Sequence, residues 1–217
     1  MASVETVVFD IGNVLIDWDP RYLYRKVFGD EEEMERFLAT VTTHEWNLEQ
    51  DRGRTMEEAT AVLVSRHPEY VREIEAYYGR WEETFGGPIE GSVRVLRELR
   101  ERGYPLYALT NWSAETFPLA RAWYRFLDLF DEIVVSGEVG MIKPDREIYG
   151  FLVERTGLDP ATSVFIDDSS ANVRAAEALG FKGVLFEGAE GLREVLTSLG
   201  LLRSGDGGPH QEVEAGN

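Results

Sequence analysis

An α/β fold, a doubly wound parallel sheet carrying a helical insert, is predicted by three features of the sequence. Short apolar runs recur along the chain, helical patterns alternate with them, and the first crossover is far longer than the others. The apolar runs are Val4–Phe9, Leu106–Leu109, Ile133–Val135, Val164–Ile166 and Val184–Phe186. Each is short, rich in β-branched or aromatic residues and bounded by turn formers, as expected of strands buried on both faces. Between the later runs lie the helical patterns Val93–Arg102, Ala114–Arg125, Arg146–Arg155 and Ala171–Leu179. Gly103, Gly157 and Gly180 stand just past three of them, where glycine closes a helix in the left-handed conformation at least cost. Strand and helix in alternation, with right-handed crossovers, give an open Rossmann-like sheet.

The first crossover runs from Phe9 to a helix starting near Gly91, too long a stretch to lack structure. Helical patterns occupy Pro20–Phe28, Glu31–Val41, Met56–Arg66 and Tyr70–Phe85, and no convincing strand appears among them. A four-helix cap inserted over residues 17–87 is therefore expected, with residues 1–16 and 88–203 as the Rossmann-like core. Residues 204–217, rich in glycine and acid, read as a flexible tail.

Charge and composition narrow the partners. Forty acidic residues against 22 basic ones give a formal charge of -18, a field that repels nucleic-acid backbones and anionic membrane surfaces. An anionic substrate would need a locally positive spot in this negative molecule. There is no cysteine, and the three histidines, His44, His67 and His210, are scattered, so any metal must be held by oxygens. The N-terminus MASVETVVFD lacks the charged and apolar regions of an export signal, and no run approaches a membrane span. A cytoplasmic protein is the expectation; oligomeric state leaves no mark on the sequence.

Three predicted strands end in polar residues foreign to a core: Asp10, then Thr110 with Asn111, then Asp167 with Asp168. In open α/β sheets ligands bind beyond the carboxyl ends of strands, where the strand order reverses. For an order of 3-2-1-4-5 that point lies between the strands bearing Asp10 and Asp167. Two carboxylates meeting there repel unless one is protonated or a cation lies between them, and hard oxygen ligands suit magnesium. The competing reading, that each Asp caps the following turn, explains one such residue better than three. Lys143, one of three lysines in an arginine-rich basic set, sits between Met141–Ile142 and Pro144 ahead of a helix, and a lysine offers a phosphate a compact point charge. Capping accounts for Ser169, Ser170 and Asn172, and for Asp19 before Pro20.

The segments FDIGNVL, LTN, GMIKPDREIY and FIDDSSANVRAAEALG, in that order and with an insert after the first, resemble the four motifs of the haloacid-dehalogenase-like hydrolases. The resemblance is to the helical-cap branch, near sugar-phosphate phosphatases and 2-haloacid dehalogenases. It implies Asp10 as a nucleophile forming an aspartyl-phosphate. It further implies Thr110 and Lys143 on the phosphoryl oxygens, with Asn111 beside them. Asp10, the carbonyl of Gly12 and Asp167 would ligate magnesium, while Asp168 would hold a metal-bound water or orient Lys143.

One position departs from the pattern. Most phosphatases of the superfamily carry an Asp two residues after the nucleophile as general acid and base; here that residue is Gly12. Proton transfer of this kind is typically worth about 10²- to 10⁴-fold. A good leaving group, as in an anomeric sugar phosphate, would tolerate the loss, or Asp17, Asp19 or a cap residue would supply the proton. Metal-independent dehalogenation is the alternative reaction, which the placement of Tyr149 also fits; a catalytically impaired ligand-binding module is the alternative of another kind. Asp167 and Asp168 weigh against dehalogenation. The candidate specificity surface is His44–Arg52, where Trp46 would either stack on the substrate or pack between cap helices, and Asn47, Gln50 or Arg52 would hydrogen-bond the substrate. Tyr77, Tyr78 and Trp81 read as the core of the cap. The expected substrate is a small phosphorylated metabolite.

Overall fold

The structure is a computed structural model in which residues 3–203 are described. Its strands are β1 (Thr6–Phe9), β2 (Ile16–Trp18), β3 (Phe85–Pro88), β4 (Leu106–Thr110), β5 (Glu132–Val135), β6 (Ser163–Asp167) and β7 (Lys182–Leu185). Five of them form a parallel sheet in the order β5-β4-β1-β6-β7, which is the expected order reversal beside β1. The predicted runs all fall in these strands, shifted by one or two residues at their ends. The expected tail, 204–217, lies outside the described residues.

Successive side chains of β1 point to opposite faces of the sheet, and both faces are covered. Val7 and Phe9 pack with Val93, Leu96 and Leu99 of the helix α6 (Glu90–Glu101) and with Leu192 and Leu196 of α11 (Ala189–Ser198). Val8 packs on the other face with Ile148, Tyr149 and Leu152 of α9 (Arg146–Thr156) and with Ala176 of α10 (Ser170–Glu177). Two shorter helices, α7 (Phe117–Trp123) and α8 (Ser136–Val139), follow β4 and β5.

The insert carries five α-helices where four were expected: α1 (Arg21–Val27), α2 (Glu31–Thr40), α3 (His44–Asp51), α4 (Met56–Arg66) and α5 (Val71–Gly79). The additional one is α3, which lies within the expected specificity surface His44–Arg52. Its hydrophobic pattern is weak, and Thr43 starts it by accepting a hydrogen bond from the Trp46 N–H at its N-cap. An aromatic cluster fills the insert, with ring centroids 5.0 Å apart for Tyr24–Phe37, Trp46–Tyr77 and Tyr77–Tyr78. The Tyr70–Phe85 pattern is also broken up: α5 ends at Gly79, a 3₁₀ turn covers Trp81–Thr84, and Phe85 opens β3.

The insert therefore does contain a strand. β2 and β3 pair antiparallel, Ile16 opposite Pro88 and Asp17 opposite Gly87, as a ribbon at the two chain crossings into and out of the helices. Phe-Gly-Gly-Pro has little β-propensity of its own, so this strand exists through its partner rather than through its composition. Pro20 rather than Asp19 takes the N-cap position of α1; Asp19 stands one residue earlier, with its Oδ1 accepting from the Arg21 N–H at 2.9 Å.

Candidate active site

Register places the candidate carboxylates at one level. Phe9 lies opposite Ile166 of β6 and Ala108 of β4, so Asp10 and Asp167, each one residue further along, emerge side by side where the sheet ends. The Asp10 N–H donates to the Ile166 carbonyl at 2.8 Å, which ties the two strand ends together. Oxygens of Asp10, Asp167 and Asp168 all lie within 4.8 Å of one another.

Lys143 joins the first two. Its Nζ is 2.9 Å from Oδ1 of Asp10 and 2.7 Å from Oδ2 of Asp167, and the residue is only 2% exposed. An ammonium between two carboxylates stays charged: burial alone would lower the Lys143 pKa, but Asp10 and Asp167 raise it beyond its ordinary value. Asp10 feels opposing influences. Burial pushes its carboxyl up, Lys143 pulls it down, and Asp167 and Asp168 push it up again, leaving it at about 7. Asp168, more open to solvent, is raised by burial and by Asp167.

The buried members of the cluster are held from behind. Asp10 Oδ1 accepts from the Ile11 N–H at 2.7 Å. Asp167 accepts from the Ser169 N–H and from Asn172 Nδ2, which reaches both of its oxygens at 3.0 and 3.1 Å. Asn172 is thus a clamp on Asp167 rather than a helix cap, and Ser169 makes no side-chain capping bond either. Asn111 has a similar office. Expected on the substrate, it spends its amide on the backbone of Lys143, donating from Nδ2 to the carbonyl at 2.9 Å and accepting from the N–H at 2.8 Å. Nor does Asp168 orient Lys143, whose ammonium partners are Asp10 and Asp167. Thr110 is buried at the end of β4, and its hydroxyl has no hydrogen-bond partner. Gly12 lies on the tight turn between β1 and β2, bridged to Ile16. Tyr149 donates its hydroxyl to the Asn172 carbonyl at 3.0 Å and belongs to the core.

Above the cluster lies a chamber of about 510 Å³. The sheet contributes Asp10, Gly12, Asn111, Lys143 and Asp168, and the insert contributes α3 and α5. Helix α3 docks on the core. Arg52 at its end pairs with Asp145 at 3.2 Å, and a Cβ on Gly53, whose φ is +106°, would stand 3.3 Å from the Gly137 carbonyl. Gly137 in turn has to be glycine, since a Cβ there would come within 2.5 Å of the Ala114 N and 2.8 Å of the Trp112 carbonyl.

Trp46 is not on this chamber. It is buried in the insert, with its Nε1–H donating to the Ala59 carbonyl at 3.3 Å and its ring edge-on to Tyr77, because a large side chain on the inner face of a short helix packs before it binds. Asn47 does line the chamber and accepts from the Tyr77 hydroxyl at 2.8 Å. Tyr77, Tyr78 and Trp81, expected only as core, form chamber wall as well, together with Trp18, Leu48 and Trp112. The residue most completely missed is Asp51 at the end of α3, a buried carboxyl facing the chamber. Its one sequence signal was an acid on the inner side of HEWNLEQD.

Among the described residues no helix is long and apolar enough to cross a membrane. The chain is 31% identical over 185 residues to the sesquiterpene phosphatase astK of Aspergillus oryzae, covering 84% of this chain and 89% of that one. It is 22% identical to a D-ribitol-5-phosphate phosphatase of Bacteroides thetaiotaomicron, over 89% of this chain and 97% of the other. A solved HAD family enzyme from the same bacterium superposes with a TM-score of 0.72 at 24% identity, over 90% of this chain and 99% of its own. The wild-type form of that enzyme in complex with magnesium and inorganic phosphate superposes with a TM-score of 0.65 at 23% identity, over 86% and 96%. Residues 4–180 match the haloacid dehalogenase-like hydrolases, and the chain is a member of that enzyme family.

Proposed function

We propose that this hydrolase is a magnesium-dependent phosphomonoesterase acting on a small phosphorylated metabolite with Asp10 as nucleophile. The observation that carries the reading is the buried set at the strand ends, in which Lys143 lies 2.9 Å from Asp10 and three carboxylates lie within 4.8 Å. The donor set fits a hard divalent cation. The three carboxylates supply oxygen ligands, and the upward push on Asp10 from its acidic neighbours is the repulsion a dication relieves. Asp10, Asp167 and the Gly12 carbonyl would hold it. When bound, magnesium would withdraw charge from the phosphoryl oxygens.

The remaining work belongs to the chain's own groups. Lys143 neutralises charge on the transferring group and draws the Asp10 pKa down against burial, which favours the ionised nucleophile; the unpartnered Thr110 hydroxyl is a donor aimed at nothing in the protein and suits a phosphoryl oxygen. Asn111 holds the backbone that carries Lys143, and Asn172 holds Asp167. Residues 17–87 serve as a cap that encloses the reaction. The same acidic trio favours phosphoryl transfer over the metal-independent attack on carbon of a dehalogenase.

For the organic part of the substrate, an apolar or aromatic group is better supported than a sugar. Five aromatic side chains, Trp18, Tyr77, Tyr78, Trp81 and Trp112, stand in the chamber wall among its polar groups, and the relative from Aspergillus oryzae is a sesquiterpene phosphatase. Its volume of about 510 Å³ is in the range of small-ligand sites. The test is a panel of sugar phosphates and of alkyl, prenyl and terpenyl monophosphates, assayed for phosphate release with magnesium and with a chelator. Release that needs magnesium and disappears in Asp10→Asn is expected. Equal rates in wild type and Asp10→Asn would contradict the mechanism, and a preference for sugar phosphates would contradict the substrate class.

A further inference from the structure

Three carboxyl groups are buried among the described residues: Asp10, Asp51 and Asp167. Two are explained by the strand-end cluster. The third, Asp51, is 7% exposed, as buried as Asp10, yet it makes no ion pair and has as its one side-chain hydrogen bond a long contact of 3.4 Å from Asn47 Nδ2. Burying a carboxyl with so little compensation is costly, and the group faces the chamber rather than the core of the insert.

We infer that Asp51 is the proton donor to the leaving group, a role that the residue two positions after the nucleophile cannot fill because it is Gly12. The inference rests on the phosphatase reading above and assigns the acid of that reaction. In-line displacement puts the departing oxygen on the side of phosphorus opposite Asp10, toward the space that the insert encloses. Asp51 is the buried acid lining that space. An Asp10 oxygen bonds to phosphorus, the phosphorus–oxygen bond to the organic group breaks, and the Asp51 proton passes to that oxygen, releasing an alcohol. The Asp51 carboxylate then takes a proton from the water that attacks phosphorus, the bond to Asp10 breaks, and inorganic phosphate and both original side chains are recovered.

The surroundings of Asp51 suit an acid that must also act as a base. The groups facing it are Lys143 from the loop before α9 and Tyr77 and Tyr78 from α5, whose hydroxyls are pushed above their ordinary range by burial. Arg52 turns to Asp145, and Arg54 to Gln50 and the Trp46 carbonyl. Glu57 and Glu58 of α4 and Glu138 of α8, on two further elements packed against α3, are exposed to solvent. Burial raises the Asp51 carboxyl to about 7, with Lys143 opposing. Near neutrality it is therefore available in both forms.

The distinguishing measurement is kcat/KM for 4-nitrophenyl phosphate, whose leaving group needs no proton, and for an alkyl phosphate, whose leaving group does, in wild type and Asp51→Asn. The alkyl ester is expected to lose about 10²- to 10³-fold and the nitrophenyl ester less than about tenfold. The fall in alkyl-ester kcat/KM as pH rises through about 7 should vanish in the variant and be recovered, with a shifted midpoint, in Asp51→Glu. Equal losses on the two esters, with an unchanged pH limb, would make Asp51 a structural residue and overturn the assignment. So would alkyl-ester hydrolysis that needs Asp10 but is undiminished in Asp51→Asn. If wild type hydrolyses neither ester in an Asp10-dependent way, the phosphatase reading fails and takes the assignment with it.

Discussion

Replacing Lys143 with Met keeps the length of the side chain but removes the ammonium that lies 2.9 Å from Asp10 and 2.7 Å from Asp167. In the wild type, burial raises Asp10 from its ordinary 3.8 to about 7. Between those values the native state holds a proton that the unfolded chain has released, so stability falls as pH rises, by about 1.4 kcal/mol per pH unit. Above about 7 the wild-type curve should level off. Without Lys143 the carboxylate pair loses its attraction to a cation, the proton is retained to higher pH, and the fall continues. Two further pH units amount to about 3 kcal/mol, which agrees with the about 3–5 kcal/mol found when one partner of a buried pair is removed. Urea unfolding of both proteins at pH 5.5, 7 and 9 measures the difference directly. The deficit should be smallest at pH 5.5 and largest at pH 9, the loss of the Lys143–Asp167 pair counting at both, and magnesium should restore more stability to the variant than to wild type by binding the folded cluster. Parallel pH profiles would refute the reasoning, because they would mean that Lys143 does not govern the charge state of Asp10.

Trp46→Ala should destabilise the protein by about 3–5 kcal/mol in urea, because a buried indole is removed from the aromatic core of the insert, while Trp46→Phe should leave KM within about threefold of wild type. Asn111→Ala frees the backbone of Lys143 and should lower kcat by about 10²-fold with little change in magnesium affinity measured calorimetrically, since a displaced ammonium affects transfer more than metal binding. Gly12→Asp should still fold, as a Cβ there meets nothing within 4 Å, but should lose about 1 kcal/mol by the same unfolding assay because a further carboxylate joins the acidic cluster. In an Asp51→Asn background the same substitution should recover part of the alkyl-ester rate.

The sheet was legible because buried parallel strands need apolar runs, and those at Val164–Ile166 and Leu106–Leu109 have no other reading in this context. The polar residues at their ends were legible for the same reason reversed: Asp10, Thr110 and Asp167 violate the pattern of the strands that carry them. Parts built by pairing were not. Phe85–Pro88 becomes a strand only opposite Ile16–Trp18, and α3 is too short and too weakly amphipathic to announce itself. Side-chain duties were the least visible. Nothing in the sequence distinguishes an Asn111 that grips the Lys143 backbone from one that grips substrate, because the grip joins positions 32 residues apart. Asp51 was hidden likewise: its burial depends on how α3 docks on Gly137 and Asp145, a tertiary contact with no local signature.

The claim that Asp10 attacks phosphorus is tested most directly by trapping the covalent intermediate. The enzyme is mixed with a turned-over phosphate ester in magnesium, quenched in acid within the first turnover and reduced with borohydride, which converts an aspartyl-phosphate to homoserine. Peptide mass spectrometry should find homoserine at position 10 and unmodified aspartate at positions 51, 167 and 168. Turnover with no modification at position 10, or with the modification at another aspartate, would contradict the account.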